Sequence, residues 1–178
     1  MAIDLTSWLL AELDDATARL EHQVLAHVPP RRRAERADGG GSSIAWTTLH
    51  LARHADLALA ALTGAPPARA GAHGLGEIEP DGGAPVDGED AGAYALATLA
   101  AARAFVASGP DLEAVPDTTA ALERAAVPRD AFGWLYEQWA GQPAAFLVRW
   151  PLIGHVHNHV GELIATRNRL GLSPYARS

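Results

Sequence analysis

The sequence predicts an all-α protein that folds as a single helical-bundle domain over residues 1–178. Long segments carry apolar residues at spacings of three and four, which is the period of an amphipathic helix. Proline and glycine residues separate these segments, and the sequence contains neither alternating strand patterns nor Asn-Gly hairpin signals. A length of 178 residues fits one domain with a sizeable core.

Composition limits the class of function. Hydrophobic residues make up 48% of the chain and charged residues 20%, which is typical of a folded globular protein. The net charge of −7 gives no bias toward nucleic acid or anionic membranes, so we expect neither as a partner. The sequence has no secretory-signal pattern and no run of about 18 apolar residues, so we expect a cytoplasmic protein. The chain has no cysteine, so His, Asp, Glu or water must hold any metal.

The first two helices are predicted from apolar periodicity and from caps. The first covers residues 4–27, and a Pro-Pro pair ends it. Its apolar stripe consists of Leu5, Trp8, Leu9, Leu13, Ala16 and Leu20. The second helix follows the capping residues Ser42 and Ser43 and continues to about Leu62. It is apolar nearly all round, so we expect it to pack on more than one side.

A long loop is predicted between the second and third helices. Residues 64–89 are rich in glycine and proline and lack periodicity, and loops of this length are often functional or mobile. Further helical segments are predicted over residues 90–108, 117–126, 128–141 and 151–170. Pro151 suits the first position of the last helix, and Gly171 suits its C-terminal cap.

Two histidines on the last helix are the strongest functional signal. His155 and His159 are four residues apart, so they project about 40° apart from one face, as two ligands of one ion do. Leu152, Leu163 and Leu170 continue the same face, so both imidazoles are predicted to point into the core. Hydrogen-bonded core histidines without a metal are the alternative interpretation.

A second pair of histidines, on the second helix, offers a third ligand. His50 and His54 are also four residues apart, and spacing alone does not choose between them. Either one would complete a three-histidine site that leaves other coordination positions open to water or substrate. Such a site is catalytic in form, because structural zinc is normally closed by four protein ligands.

These segments resemble the DinB-like superfamily, which includes mycothiol-dependent maleylpyruvate isomerases and related bacterial thiol S-transferases. That family carries small-Ile-x-Trp-x-x-x-His-Leu on its second helix, and residues 43–51 match it. Its last helix carries His-x-x-x-His followed by Gly and an acid or amide, as residues 155–162 do. The ending Arg-Asn-Arg-Leu-Gly at residues 167–171 is also similar.

The resemblance implies a four-helix bundle that binds zinc or nickel on His50, His155 and His159, with His50 chosen over His54. It implies mycothiol or a similar thiol as co-substrate, a small-molecule substrate and a homodimer. The loop at residues 64–89 has no match in the family pattern, and this leaves the identity of the substrate open.

Two other residues near the histidines have alternative roles. Glu162 lies three residues after His159, where it would accept a proton or orient a ligand histidine. We favour a salt bridge between Glu162 and an arginine such as Arg53 instead. Trp46 precedes His50 by four residues; we favour a core role for it, with a pocket wall as the alternative.

Three functions are compatible with this pattern. The first is a metal-dependent S-transferase or isomerase that uses a low-molecular-weight thiol. The second is a metal-dependent hydrolase on the same three histidines, since a bound ion also activates water. The third is a non-catalytic bundle for metal binding or dimerisation. Packing is the role predicted for Trp134, Tyr136 and Trp139, and solvent exposure is predicted for Asn158 and the loop residue His73.

Overall fold

The computed structural model describes residues 4–175, which form helices and connecting loops without any β-strand. The all-α class is therefore confirmed. The α-helices are α1 (Leu5–Ala18), α2 (Ile44–Thr63), α3 (Gly88–Ala107), α4 (Thr118–Arg124), α5 (Arg129–Trp139), α6 (Ala144–Leu147) and α7 (His155–Arg169). Two π-helical segments, Arg19–Leu25 and Val148–Gly154, and a 3-10 turn, Pro30–Arg32, complete the helical structure.

The first helix continues from α1 into a π-helical segment, so the chain is helical from Leu5 to Leu25. The Asp4 carboxylate accepts a hydrogen bond from the backbone N–H of Ser7 at 3.0 Å and caps the helix. The side chain of Leu13 is fully buried. By contrast, the Trp8 side chain is 46% exposed, although its spacing predicted a core position.

Helix α2 lies at the centre of the molecule. It contacts α3, α4, α6 and α7, and residues 44–61 are buried along its whole length. The Ser43 hydroxyl accepts from the backbone N–H of Trp46 at 3.1 Å, and Gly64 ends the helix with φ of 72°. The prediction of a helix packed on several sides is confirmed, and both histidines of α2 are buried.

The last helix begins earlier than predicted. It extends without interruption from Ala144 to Arg169, and Pro151 lies in its interior rather than at its start. The segment Val148–Gly154 is π-helical, and the backbone N–H of His155 accordingly bonds the Trp150 carbonyl five residues back. This shift in bonding register accommodates a residue that has no N–H to donate. Gly171, with φ of 75°, follows the end of the helix as predicted.

Four long helical runs pack against one another: residues 5–25, 44–63, 88–107 and 144–169. From Asp4 to Tyr175, no helix is both long enough and apolar enough to cross a bilayer.

Candidate metal centre

Three of the predicted histidines meet between α2 and α7. One ligand nitrogen from each of His50, His155 and His159 lies within 4.8 Å of those of the other two. The Nε2 atoms of His155 and His159 are 3.1 Å apart. Two nitrogens bound to one tetrahedral zinc ion at the usual bond length are about 3.3 Å apart. The side chains are therefore close to the spacing that one ion requires.

Hydrogen bonds orient two of these imidazoles. The Nδ1 atom of His50 lies 3.1 Å from the Gly74 carbonyl oxygen, which can only accept, so Nδ1 carries the proton. The Nδ1 atom of His159 lies 2.8 Å from the Glu162 carboxylate in the same way. Both rings consequently present an unprotonated Nε2 as the free ligand atom. Pairing of a metal-binding histidine with a carbonyl or carboxylate is the usual arrangement at metal sites.

Glu162 therefore contacts a histidine of the group rather than Arg53. The predicted salt bridge between Glu162 and Arg53 is absent, because the Arg53 guanidinium is buried against the 64–87 loop and bonds its carbonyl groups. The hydrogen bond between Glu162 and His159 suits the alternative role of Glu162, which is to orient this histidine.

Burial holds His50 and His155 in the neutral form in the folded chain. Burial, followed by the proximity of His159, lowers the pKa of His50 to about 4. Burial also lowers the pKa of His155 to about 2, with further contributions from His54, His159 and His50. A metal ligand must be an unprotonated imidazole, so this environment prepares both side chains for coordination at neutral pH.

His54 lies beside the group but outside it. Its ring centroid is 4.6 Å from those of His50 and His155. Within the described part of the chain, its buried Nε2 has no hydrogen-bond partner. Burial, the largest cause, lowers its pKa to about 3. Between the two alternatives that spacing left open, the compact group contains His50, and His54 lies beside it as a further buried imidazole.

Hydrogen bonds from a buried arginine hold the loop between α2 and α3 next to the site. Arg53 is 1% exposed and donates from Nη2 to the Gly71 carbonyl at 2.8 Å and from Nε to the His73 carbonyl at 3.3 Å. The next residue, Gly74, carries the carbonyl that His50 bonds. Gly74 has φ of +82°, and a Cβ there would lie 2.7 Å from Leu49 Cγ, so glycine is required. Arg53 thus fixes the loop segment that orients His50.

Asp56 completes this anchor. Its carboxylate accepts from the backbone N–H groups of Ala68 and Arg69 at 2.9 and 3.1 Å, and from the Tyr94 hydroxyl at 2.6 Å. It also lies 3.3 Å from the Arg53 guanidinium, and both side chains are almost fully buried. Burial, then the bond to Asp56, raises the pKa of Tyr94, which remains a hydrogen-bond donor. The loop is therefore held by a charged network that few surface loops possess.

A cavity of about 350 Å³ opens beside the three histidines. Its walls are His50, His54, Glu77, Trp134, Gln138, Trp139, Trp150, Pro151, His155, Asn158 and His159. The Trp134 ring stacks on His54 with centroids 6.1 Å apart, and the Trp150 ring meets His155 edge-on at 6.0 Å. The three histidines therefore border a mostly apolar pocket of the size typical for small ligands.

Several sequence predictions about the pocket were incomplete. Trp134, predicted only to pack, is 43% exposed and forms a wall, and Trp150 was not singled out at all. The four-residue spacing of Trp134 and Gln138 on α5 was a usable signal for a shared face. The sequence carries no such signal for Trp150, because the direction of its side chain depends on the π-helical segment before His155.

Three other predicted residues lie away from the cavity. Trp46 is 5% exposed and does not line it, so its core role rather than the pocket-wall alternative matches the structure. Its ring meets the exposed His73 edge-on at 5.6 Å, and His73 does not line the cavity either. His157 points away from the group toward Glu12, with 3.7 Å between its Nε2 and the carboxylate.

Comparison with known proteins returned no match: no protein-family model, no curated protein and no solved structure is similar to this chain. The geometry of the site itself is therefore the basis for assigning a function.

Proposed function

We propose that this protein is a metal-dependent enzyme that transfers a low-molecular-weight thiol to an electrophilic small molecule. The observation that carries the proposal is the meeting of His50, His155 and His159 beside a cavity of about 350 Å³. Three protein ligands are the arrangement found in catalytic zinc sites, whereas structural sites normally use four.

The donor set fits a divalent transition metal. All three donors are imidazole nitrogens, a ligand type that suits zinc and nickel and not magnesium or calcium. Bound ions of this kind lower the pKa of a thiol or water that coordinates them and so generate a nucleophile at neutral pH. We propose zinc or nickel as the resident metal.

The chain's own residues contribute orientation and exclusion of water. Glu162 and the Gly74 carbonyl hold the rings of His159 and His50 with Nε2 free. Trp134 and Trp150 form apolar walls next to the histidines, where an electrophile is held out of water. The chain has no cysteine, so the attacking thiol must be a separate molecule.

The resemblance to the DinB-like thiol S-transferases supports mycothiol or a related thiol in this role. On the same basis we expect a homodimer. In the transfer to an aryl chloride, the thiol sulfur forms a C–S bond and the C–Cl bond breaks. Chloride leaves with the bonding electron pair, and the thiol proton passes to solvent.

Turnover of an activated aryl chloride by the zinc-loaded protein tests the proposal. We expect thioether formation with mycothiol or N-acetylcysteine that is lost in His159→Ala and retained in the matched variant His157→Ala, whose side chain points away from the site. Hydrolysis without added thiol would instead assign a hydrolase on the same centre. Metal binding without activity toward any thiol or ester would indicate a non-catalytic bundle.

A further inference from the structure

Tryptophan rings and a proline form the apolar part of the cavity wall. Trp134 from α5 and Trp150 from the last helix line it, together with Trp139 and Pro151. Indole rings contribute large apolar contact areas and favour stacking with planar groups. The polar part of the lining consists of the four histidines, Gln138, Asn158 and Glu77.

In the part of the chain that the structure describes, the residues that line the cavity include a negatively charged side chain but no arginine or lysine. Among the cavity walls within residues 4–175, Glu77 is the only carboxylate and no arginine is present, while the sequence contains no lysine. Arg53, the buried arginine nearest in sequence to His54, has its guanidinium on loop carbonyls and on Asp56. A carboxylate or phosphate on a bound molecule would therefore find no cationic side chain. Burying an anion without a partner is strongly unfavourable.

We propose that the cavity selects flat, uncharged, apolar electrophiles and rejects molecules that carry an anionic group away from the reacting carbon. The proposal rests on the function proposed above, since it names the substrate class of the same site. The volume of this cavity is at the small end of the range for ligand pockets. The polar part of the thiol co-substrate therefore stays at the opening of the cavity.

Binding of a matched pair of fluorophores tests this selectivity apart from catalysis. The probes are the methyl ester of a dimethylaminonaphthoic acid, which is neutral, and the corresponding carboxylate. Titrations use the full chain, once with a chelator and once with added zinc. Affinities measured with the chelator depend on the cavity walls alone, because no metal is then present to attract the carboxylate. We expect the ester to bind at least about tenfold more tightly than the acid there, which corresponds to about 1.4 kcal/mol.

Two matched pairs of variants locate the binding. Trp134→Ala should weaken the ester, and Trp8→Ala, which removes an indole of similar exposure on α1, should not. Glu77→Arg should raise affinity for the acid, whereas Glu137→Arg makes the same change of charge at an exposed residue of α5 outside the cavity. Far-UV circular dichroism verifies that each variant is folded.

Equal affinity for ester and acid in the chelated protein would overturn the proposal, as would identical effects within either pair of variants. Failure of the metal centre would appear separately, as absence of bound zinc with ester binding intact.

Discussion

The Nε2 atoms of His155 and His159 lie 3.1 Å apart, one helical turn from each other on α7. The Glu162 carboxylate accepts a hydrogen bond from Nδ1–H of His159, which leaves Nε2 of that ring as an acceptor. Two close ring nitrogens of this kind share either a proton or an ion. Because His50 brings a third imidazole to the same point, a cation bound there would be shared by all three side chains.

The stability of the metal-free protein should fall with acidification. His50, His54 and His155 have pKa values of about 4, 3 and 2 in the folded chain, against an ordinary value of 6.5. The unfolded chain therefore binds more protons between pH 6.5 and these values, and each histidine lowers the free energy of unfolding by up to about 1.4 kcal/mol per pH unit in that window. Urea unfolding from pH 7 to pH 5 measures this slope. His54→Gln should make it shallower, and an unchanged slope would contradict the burial of a neutral His54.

Glu162→Ala should weaken zinc binding by about tenfold or more, which is the usual effect of losing a carboxylate that orients a ligand histidine. Glu162→Gln keeps an acceptor oxygen and should lose less. Competition with a chromophoric chelator measures the affinity, and Glu137→Ala is the control. An equal loss in the Glu162→Ala and Glu137→Ala variants would indicate an effect of overall charge and would contradict the orienting contact.

Arg53→Met should destabilise the fold by roughly 3–5 kcal/mol, because it leaves the buried Asp56 carboxylate without its cationic partner. It should also weaken zinc binding, since the loop that bears Gly74 loses three carbonyl contacts. The control is Arg103→Met, which removes an exposed ion pair with Asp14 and should change stability much less. Urea unfolding and zinc titration should separate the two variants. Equal stability of both would contradict the anchoring role of Arg53.

Gly74→Ala should lower stability and zinc affinity together. Gly74 has φ of +82°, and the added Cβ would meet Leu49 Cγ at 2.7 Å. Gly82→Ala is a matched control, because Gly82 has φ of +68° with no atom within 4 Å of the new Cβ. Strain from positive φ alone is about 1–2 kcal/mol, so the excess cost at Gly74 reports the packing of the loop against α2. Thermal unfolding of the two variants should differ, and equal melting temperatures would contradict this packing.

The features that the sequence predicted correctly depend on short-range patterns in the chain. The Ser43 cap and Gly64 bound the central helix, and the four-residue spacing of His155 and His159 put both on one face. Those features depend on residues close together in the chain, so periodicity is sufficient to find them. The DinB-like architecture and the homodimer remain predictions.

Features that depend on tertiary context were missed. Pro151 is typical of a helix start, but packing against α1 and α2 keeps the chain helical before it and π bonding absorbs the missing N–H. The sequence alone does not decide whether Glu162 pairs with an arginine such as Arg53 or with His159, because the choice depends on the tertiary fold. The loop at residues 64–87 has no periodicity, and its anchoring by Arg53 and Asp56 depends on contacts 12 or more residues apart.

Metal content of the protein purified without a His-tag tests the central claim most directly. Inductively coupled plasma mass spectrometry should find one zinc or nickel ion per chain in the wild-type protein, as a single three-histidine site requires. The ion should be lost in His50→Ala and His159→Ala and retained in His157→Ala. A wild-type protein that contains no metal and takes up no added zinc, or one that keeps its ion in His50→Ala and His159→Ala, would contradict the account.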